Sequence, residues 1–156
     1  MTARLDLPFG GAIAYDDLGL GRSVVLVHGC WCSRAFFARN VGPLSERFRV
    51  INVDLPGHGE SPPRDGGHPM EQYARDLMHL LSALDLQDPV LVGWSKTMAS
   101  AVAPNSQCRR CSARQRSGMT LHYESDPFEA LVDEQFRSGG TCRWSRRCGA
   151  RWVEVE

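Results

Sequence analysis

Three short apolar runs constrain the fold of this chain more than any other feature. They are Ser23–Val27, Arg49–Val53 and Pro89–Val92, each rich in β-branched residues and followed closely by glycine or aspartate. The apolar residues are continuous rather than alternating, which is typical of strands covered on both faces of a sheet. The runs therefore predict three buried parallel strands.

Amphipathic segments lie between these runs and predict the helices that cover the sheet. Helical spacing of apolar residues predicts helices over Ser33–Asn40 and Met70–Leu84. Upstream, Arg4–Leu7 and Ala12–Asp16 are predicted to pair as an antiparallel hairpin around two glycines at the sheet edge. Strands alternating with helices indicate an α/β fold with a mostly parallel sheet and flanking helices.

The overall composition excludes several classes of protein. Hydrophobic residues make up 42% and charged residues 23% of the 156, so wholesale disorder is excluded. Eighteen basic residues balance eighteen acidic ones, which gives no electrostatic reason to expect nucleic acid or an anionic membrane as a partner. No window approaches ~18 consecutive apolar residues, and the first residues do not resemble a signal peptide. A cytoplasmic protein whose cysteines are thiols is therefore expected.

The two parts of the chain differ in character. Residues 1–103 alternate apolar runs with turns, whereas residues 104–156 have little apolar periodicity and hold four of the six cysteines. The chain has one lysine against seventeen arginines, a skew that out-of-frame reading of GC-rich DNA can produce. Residues 104–156 are thus predicted to form a poorly ordered, unassigned tail, apart from a short helix within Asp126–Arg137.

Residues that could take part in binding or catalysis follow each predicted strand. The three strand ends read His28–Trp31, Asp54–Ser61 and Gly93–Thr97. Ligands of open α/β sheets bind beyond the carboxyl ends of the strands, so these three segments are expected to meet at one site.

This combination of segments resembles the N-terminal half of the α/β-hydrolase superfamily, in particular its cofactor-free esterases and haloperoxidase-like members. The resemblance covers roughly residues 5–103 and implies the strand order second, first, third. It implies a serine hydrolase acting on small ester or related acyl substrates, without a cofactor or metal. A dehalogenase is disfavoured because that branch has aspartate at position 95.

The resemblance also implies roles for individual residues. Ser95 takes the nucleophile position on a sharp strand-to-helix turn, and Gly93 is the small residue before it. The oxyanion hole would use the backbone N–H of Lys96 together with that of Cys30 or Trp31. The remaining matched positions belong to structural loops: His28, Gly29, Asp54, Gly57, His58, Gly59 and Ser61.

Two departures from the family pattern bear on activity. Thr97 stands where a glycine normally allows the helix to leave the strand at close range. The family places an acid and then a histidine after the serine, but here the only downstream histidine, His122, precedes the nearest acid, Asp126. The chain is therefore interpreted as truncated or frame-shifted after Ser95, with an incomplete triad.

Three functions remain open at this point: a serine hydrolase, a catalytically inactive fragment of one, and a small binding module built on the Cys- and Arg-rich tail. His28 and His58 are expected to bond backbone groups rather than act as bases. The spacing of Cys108 and Cys111 relative to Cys142 and Cys148 does not favour a zinc site.

Overall fold

The computed structural model describes residues 2–94, 142–147 and 150–155, the last two segments by their backbone. In this part of the chain seven strands form one sheet in the order β1-β2-β4-β3-β5-β7-β6. The strands are β1 (Thr2–Asp6), β2 (Ala12–Leu18), β3 (Ser23–Val27), β4 (Arg49–Asp54), β5 (Val90–Trp94), β6 (Cys142–Arg147) and β7 (Ala150–Val155).

The centre of the sheet is parallel, as predicted. β3 lies between β4 and β5 and pairs with both in parallel, so that Val27 is opposite Val53 on one side and Gly93 on the other. The predicted strand order of second, first, third is therefore confirmed. The predicted hairpin is confirmed as well, because β1 and β2 pair antiparallel.

Antiparallel pairs flank this parallel centre. β2 pairs antiparallel with β4 on one side, and β6 pairs antiparallel with β7 at the other edge. β7 runs parallel to β5, with Val155 opposite Trp94. The sequence predicted neither β6 nor β7, and these strands are additions to the expected sheet. The predicted helix at residues 126–137 lies outside the described residues.

Alternate residues of the central strands pack on opposite faces of the sheet, because successive side chains of a strand point to opposite sides. Helix α2 (Met70–Ala83) covers one face, over a core formed by Leu7, Ile13, Tyr15, Val25, Val27, Ile51, Val53, Leu55, Tyr73, Leu77, Leu80, Leu81 and Leu91. The other core contains Val24, Leu26, Phe37, Leu44, Phe48, Val50, Val90 and Val92. This double coverage explains the continuous apolar runs in the sequence.

The first predicted helix consists of two pieces. A 3-10 helix spans Arg34–Phe37, and helix α1 (Ala38–Ser45) follows it directly. The helical segment thus extends five residues beyond the predicted end at Asn40. In the described part of the chain, no helix combines the length and the apolar character needed to cross a bilayer.

Candidate active site

The three strand-end segments meet at one edge of the sheet. Because β3 pairs in parallel with β4 and with β5, Asp54, His28 and Trp94 lie side by side at neighbouring strand ends, with His28 in the middle. Ser95, Lys96 and Thr97 come next in the chain after β5 and lie outside the described residues. The geometry below therefore concerns the parts of the site contributed by the first two segments and by the end of β5.

His28 joins the ends of β3 and β4. It is completely buried, its Nδ1–H donates to the Gly29 carbonyl at 2.8 Å, and its Nε2 accepts the Leu55 N–H at 3.1 Å. Burial lowers the pKa of His28, although the Gly29 hydrogen bond acts in the opposite direction. With both ring nitrogens engaged by the backbone, His28 is a structural residue, as the sequence predicted.

Residues Gly29 to Cys32 form a tight turn directly after His28. The Cys32 N–H donates to the Gly29 carbonyl at 3.3 Å, and Trp31 has a φ of +62°. A non-glycine residue with this φ is uncommon, and here it occupies the third position of the turn. Within residues 2–94, neither the Cys30 nor the Trp31 N–H has a hydrogen-bond acceptor. Two backbone donors are thus available beside the end of β5.

The carboxylate of Asp54 organises the loop that follows β4. One carboxylate oxygen accepts the Arg34 backbone N–H at 2.6 Å. The other accepts the Glu60 N–H and an Arg34 guanidinium N–H, both at 2.9 Å. Gly59 lies against this carboxylate with a φ of +52°, and an added Cβ would overlap the carboxylate atoms. The side chain of Asp54 therefore requires glycine at position 59.

Ser61 completes this loop by bridging two strands. Its hydroxyl donates to the Asp54 carbonyl at 2.6 Å and accepts the Ala14 N–H at 2.7 Å. Ala14 and Asp54 are register partners in the β2–β4 pair, so the buried hydroxyl is inserted into the ladder of the sheet. The most specific string of the sequence, Asp54–Ser61, is thus held together by its own first and last residues.

Gly57 and His58 lie at the exposed side of the same loop. Gly57 has a φ of +81°, and a Cβ there would lie 2.7 Å from Nε2 of His68. The His58 Nδ1–H donates to the Pro56 carbonyl at 3.2 Å, and its ring lies 5.0 Å from that of His28. His58 thus bonds a backbone carbonyl through Nδ1, as the sequence predicted.

Tyr73 of α2 packs against the histidines of this loop region. Its ring stacks on His68 at 5.7 Å and lies 6.2 Å from His58, and its hydroxyl donates to the Pro56 carbonyl at 3.3 Å. Burial, followed by the proximity of Cys30, raises the pKa of Tyr73. Burial, followed by the charge of Arg64, lowers the pKa of His68.

Arg34 is a central residue of this region that the sequence reading missed. Besides Asp54, its guanidinium contacts Asp16 at 3.2 Å, Glu60, and the hydroxyl of Thr2 at 3.1 Å. Its carbonyl accepts the side-chain N–H of Asn52 at 3.0 Å. These partners come from four separate segments, so no local pattern in the sequence could have indicated the network.

Aromatic side chains border the open side of the site. Trp31 is 99% exposed, Phe36 is exposed, and the rings of Phe36 and Trp94 lie 4.9 Å apart. The turn is thus bordered by exposed apolar surface. Across residues 2–94, no three His, Cys, Asp or Glu side chains converge as a metal ion would require.

Comparison with known proteins is consistent with this architecture. The model of the alpha/beta hydrolase family matches residues 24–149. A putative non-heme chloroperoxidase of Synechocystis is 38% identical over 89 residues, which are 53% of this chain and 30% of that protein. A pimeloyl-[acyl-carrier protein] methyl ester esterase of Vibrio cholerae is 37% identical over 87 residues, 54% of this chain and 31% of that protein.

Solved structures show the same relationship. A bromoperoxidase from Bacillus anthracis superposes with a TM-score of 0.61 and 34% identity, covering 66% of this chain and 38% of that one. An esterase from Thermogutta terrifontis superposes with a TM-score of 0.59 and 34% identity, covering 66% of this chain and 40% of that one. The chain thus spans about a third of the length of the curated relatives it matches. On the match to residues 24–149 and the arrangement of the three strand ends, the chain belongs to the alpha/beta hydrolase family.

Proposed function

We propose that this chain carries the nucleophile and oxyanion hole of a serine hydrolase that acts on small esters or related acyl compounds. The observation that carries the proposal is the register of β3 and β5. It brings the end of β5, and with it the residue that precedes Ser95, beside the Cys30–Trp31 turn with its two available N–H groups. Esterases among the related proteins support the substrate class.

In this proposal the hydroxyl of Ser95 attacks the acyl carbonyl and the alcohol leaves, giving an acyl-serine that water then hydrolyses. The negative charge on the carbonyl oxygen would be stabilised by the N–H of Lys96 and by that of Cys30 or Trp31. The exposed apolar surface of Trp31 and Phe36 would face the acyl or alcohol part of the substrate. No side chain of this mechanism requires a metal or cofactor.

No base is assigned to the proposed site, because His28 and His58 of the strand-end loops both bond backbone groups. Both nitrogens of His28 are engaged by backbone groups, and Nδ1 of His58 bonds to Pro56. His122, which precedes Asp126 in the chain, is in the wrong order for the family's acid and histidine. Loss of the histidine from a serine hydrolase lowers kcat on the order of a millionfold, and the oxyanion hole alone retains on the order of a thousandfold over water.

The order of His122 and Asp126 in the sequence favours a second candidate, an inactive member of the family. The test measures hydrolysis of p-nitrophenyl acetate and labelling by a fluorophosphonate probe in the full chain, with Ser95→Ala as the variant. Ser82→Ala, an exposed serine on α2, is the matched control. We expect little turnover, and slow fluorophosphonate labelling that is lost in Ser95→Ala and unchanged in Ser82→Ala.

Each result distinguishes the candidates. Labelling that persists in Ser95→Ala would refute the assignment of the nucleophile. Absence of both turnover and labelling in the unmodified chain would favour the inactive candidate. Rapid labelling that depends on Ser95 would contradict the missing base and would direct attention to His58 or His122.

A further inference from the structure

Two cysteines flank Trp31 in the turn beside the site. Cys30 and Cys32 are both free thiols, and the turn that contains them is closed by the hydrogen bond from the Cys32 N–H to the Gly29 carbonyl. The proposed hydrolase uses only backbone N–H groups of this turn. Its two sulfur atoms therefore have no role in that reaction.

The short chain between Cys30 and Cys32 keeps the two residues close together. Two peptide units join the Cα atoms of Cys30 and Cys32, which limits their separation to about 7 Å in a fully extended chain. The left-handed φ of Trp31 bends the chain between them and shortens this distance. A disulfide requires Cα atoms about 4.4–6.8 Å apart, and the bend at Trp31 brings the pair towards this range.

Both thiols are also accessible to small reagents. Cys30 is exposed and Cys32 is half-buried, although cysteine is ordinarily among the most buried residue types. The Trp31 side chain between them points into solvent and is 99% exposed. Access, together with proximity, is what thiol–disulfide exchange requires.

We propose that Cys30 and Cys32 form a redox-active dithiol that closes to a disulfide within the turn when it meets a small disulfide such as oxidised glutathione. The Cys30 thiolate attacks one sulfur of the reagent, forming a mixed disulfide and releasing one glutathione thiol. Cys32 then loses its proton and attacks the Cys30 sulfur, which releases the second glutathione thiol. Two protein thiols are oxidised and one reagent disulfide is reduced, so atoms and electrons balance.

The two cysteines can be monitored separately from the other four. Trypsin cleaves after Arg22 and Arg34, and the peptide between these sites contains Cys30 and Cys32 but no other cysteine. The full chain is equilibrated with oxidised and reduced glutathione at set ratios, alkylated with N-ethylmaleimide at low pH, and digested for mass spectrometry. We expect this peptide to carry two alkyl groups under reducing ratios, and to lose two hydrogens and both alkyl groups under oxidising ratios.

Two variants and one condition serve as controls. Cys30→Ser and Cys32→Ser each remove the partner thiol, so the remaining cysteine is expected to be recovered with glutathione attached. In urea the equilibrium for ring closure is expected to fall about tenfold, because the residue between the cysteines is no longer held in place. Circular dichroism of each variant confirms that the chain remains folded.

Several outcomes would overturn the proposal. One is that the tryptic peptide of the unsubstituted chain retains two alkyl groups at oxidising ratios. Others are that this peptide is recovered only as the glutathione adduct, or that it is linked by a disulfide to a peptide from the remainder of the chain. Equal closure in the folded and the urea-unfolded chain would remove the role assigned to the turn. None of these measurements depends on hydrolysis by Ser95.

Discussion

The substitution Ser61→Ala tests the role of the hydroxyl that is inserted between β2 and β4. The change removes the acceptor of the Ala14 N–H and the donor to the Asp54 carbonyl, and Ser61 is only 4% exposed. Each buried backbone group left without a partner costs about 1–3 kcal/mol, so the two together cost about 2–6 kcal/mol. Since Ala14 and Asp54 are register partners and can approach each other, we expect a loss of about 3 kcal/mol.

The free energy of unfolding is measured by urea titration with far-ultraviolet circular dichroism, and a shift in midpoint at constant slope reports the loss. Ser45→Ala is the matched control, because that hydroxyl donates to the Gly42 carbonyl at the surface. Its expected effect is below about 0.5 kcal/mol. Hydrogen exchange adds a local measurement, in which the Ala14 amide should lose protection in Ser61→Ala. A loss of stability no larger than that of Ser45→Ala would refute the reasoning.

Two further predictions concern the same loop and its neighbour. Gly59→Ala should destabilise the chain by about 3 kcal/mol, since its Cβ overlaps the Asp54 carboxylate. Gly66→Ala has a positive φ but open space around its Cβ, so about 1 kcal/mol is expected in the same urea titration, and equal losses would contradict the overlap. The lowered pKa of His28 predicts that stability is full above the unfolded pKa of about 6.5 and falls as the pH decreases through the folded value. His28→Gln should flatten this slope between about pH 7.5 and pH 5, with a residual slope from His68, whereas an unchanged slope would argue against a neutral His28.

The local sequence pattern was sufficient to predict the strands and the helix at the centre of the fold. The three apolar runs predicted β3, β4 and β5, and the stripe of Met70–Leu84 predicted α2 to within one residue of its end. Burial on both faces leaves a continuous apolar signature in each strand, which is a property of consecutive residues. β6 and β7 have no such signature, because their segments contain several arginines. The pairing of β7 with β5 also joins distant parts of the chain, which no local pattern indicates.

The candidate site was predictable in part. The histidine, glycine and aspartate positions of the strand-end loops were identified from their place after each predicted strand and from the resemblance to the family. His28 was correctly expected to bond backbone groups. The contacts of Arg34 were not predictable, since its partners Asp16, Asp54 and Glu60 are brought together only by the sheet. An isolated arginine in a helical segment gives no indication of what it will contact.

Up to residue 94, the sequence by itself determined the order of strands and helices, the two-sided burial of the central strands, and the identity of the residues that follow each strand. Only the tertiary structure decided which of those residues touch. The Ser61 hydroxyl lies between Ala14 and Asp54 because β2 and β4 pair antiparallel over a long sequence separation. The Asp54 carboxylate lies between Arg34 and Glu60 because β3, which precedes Arg34, pairs in parallel with β4. Periodicity reflects which face of an element is buried, whereas directional hydrogen bonds depend on register between segments, and register is set when the sheet assembles.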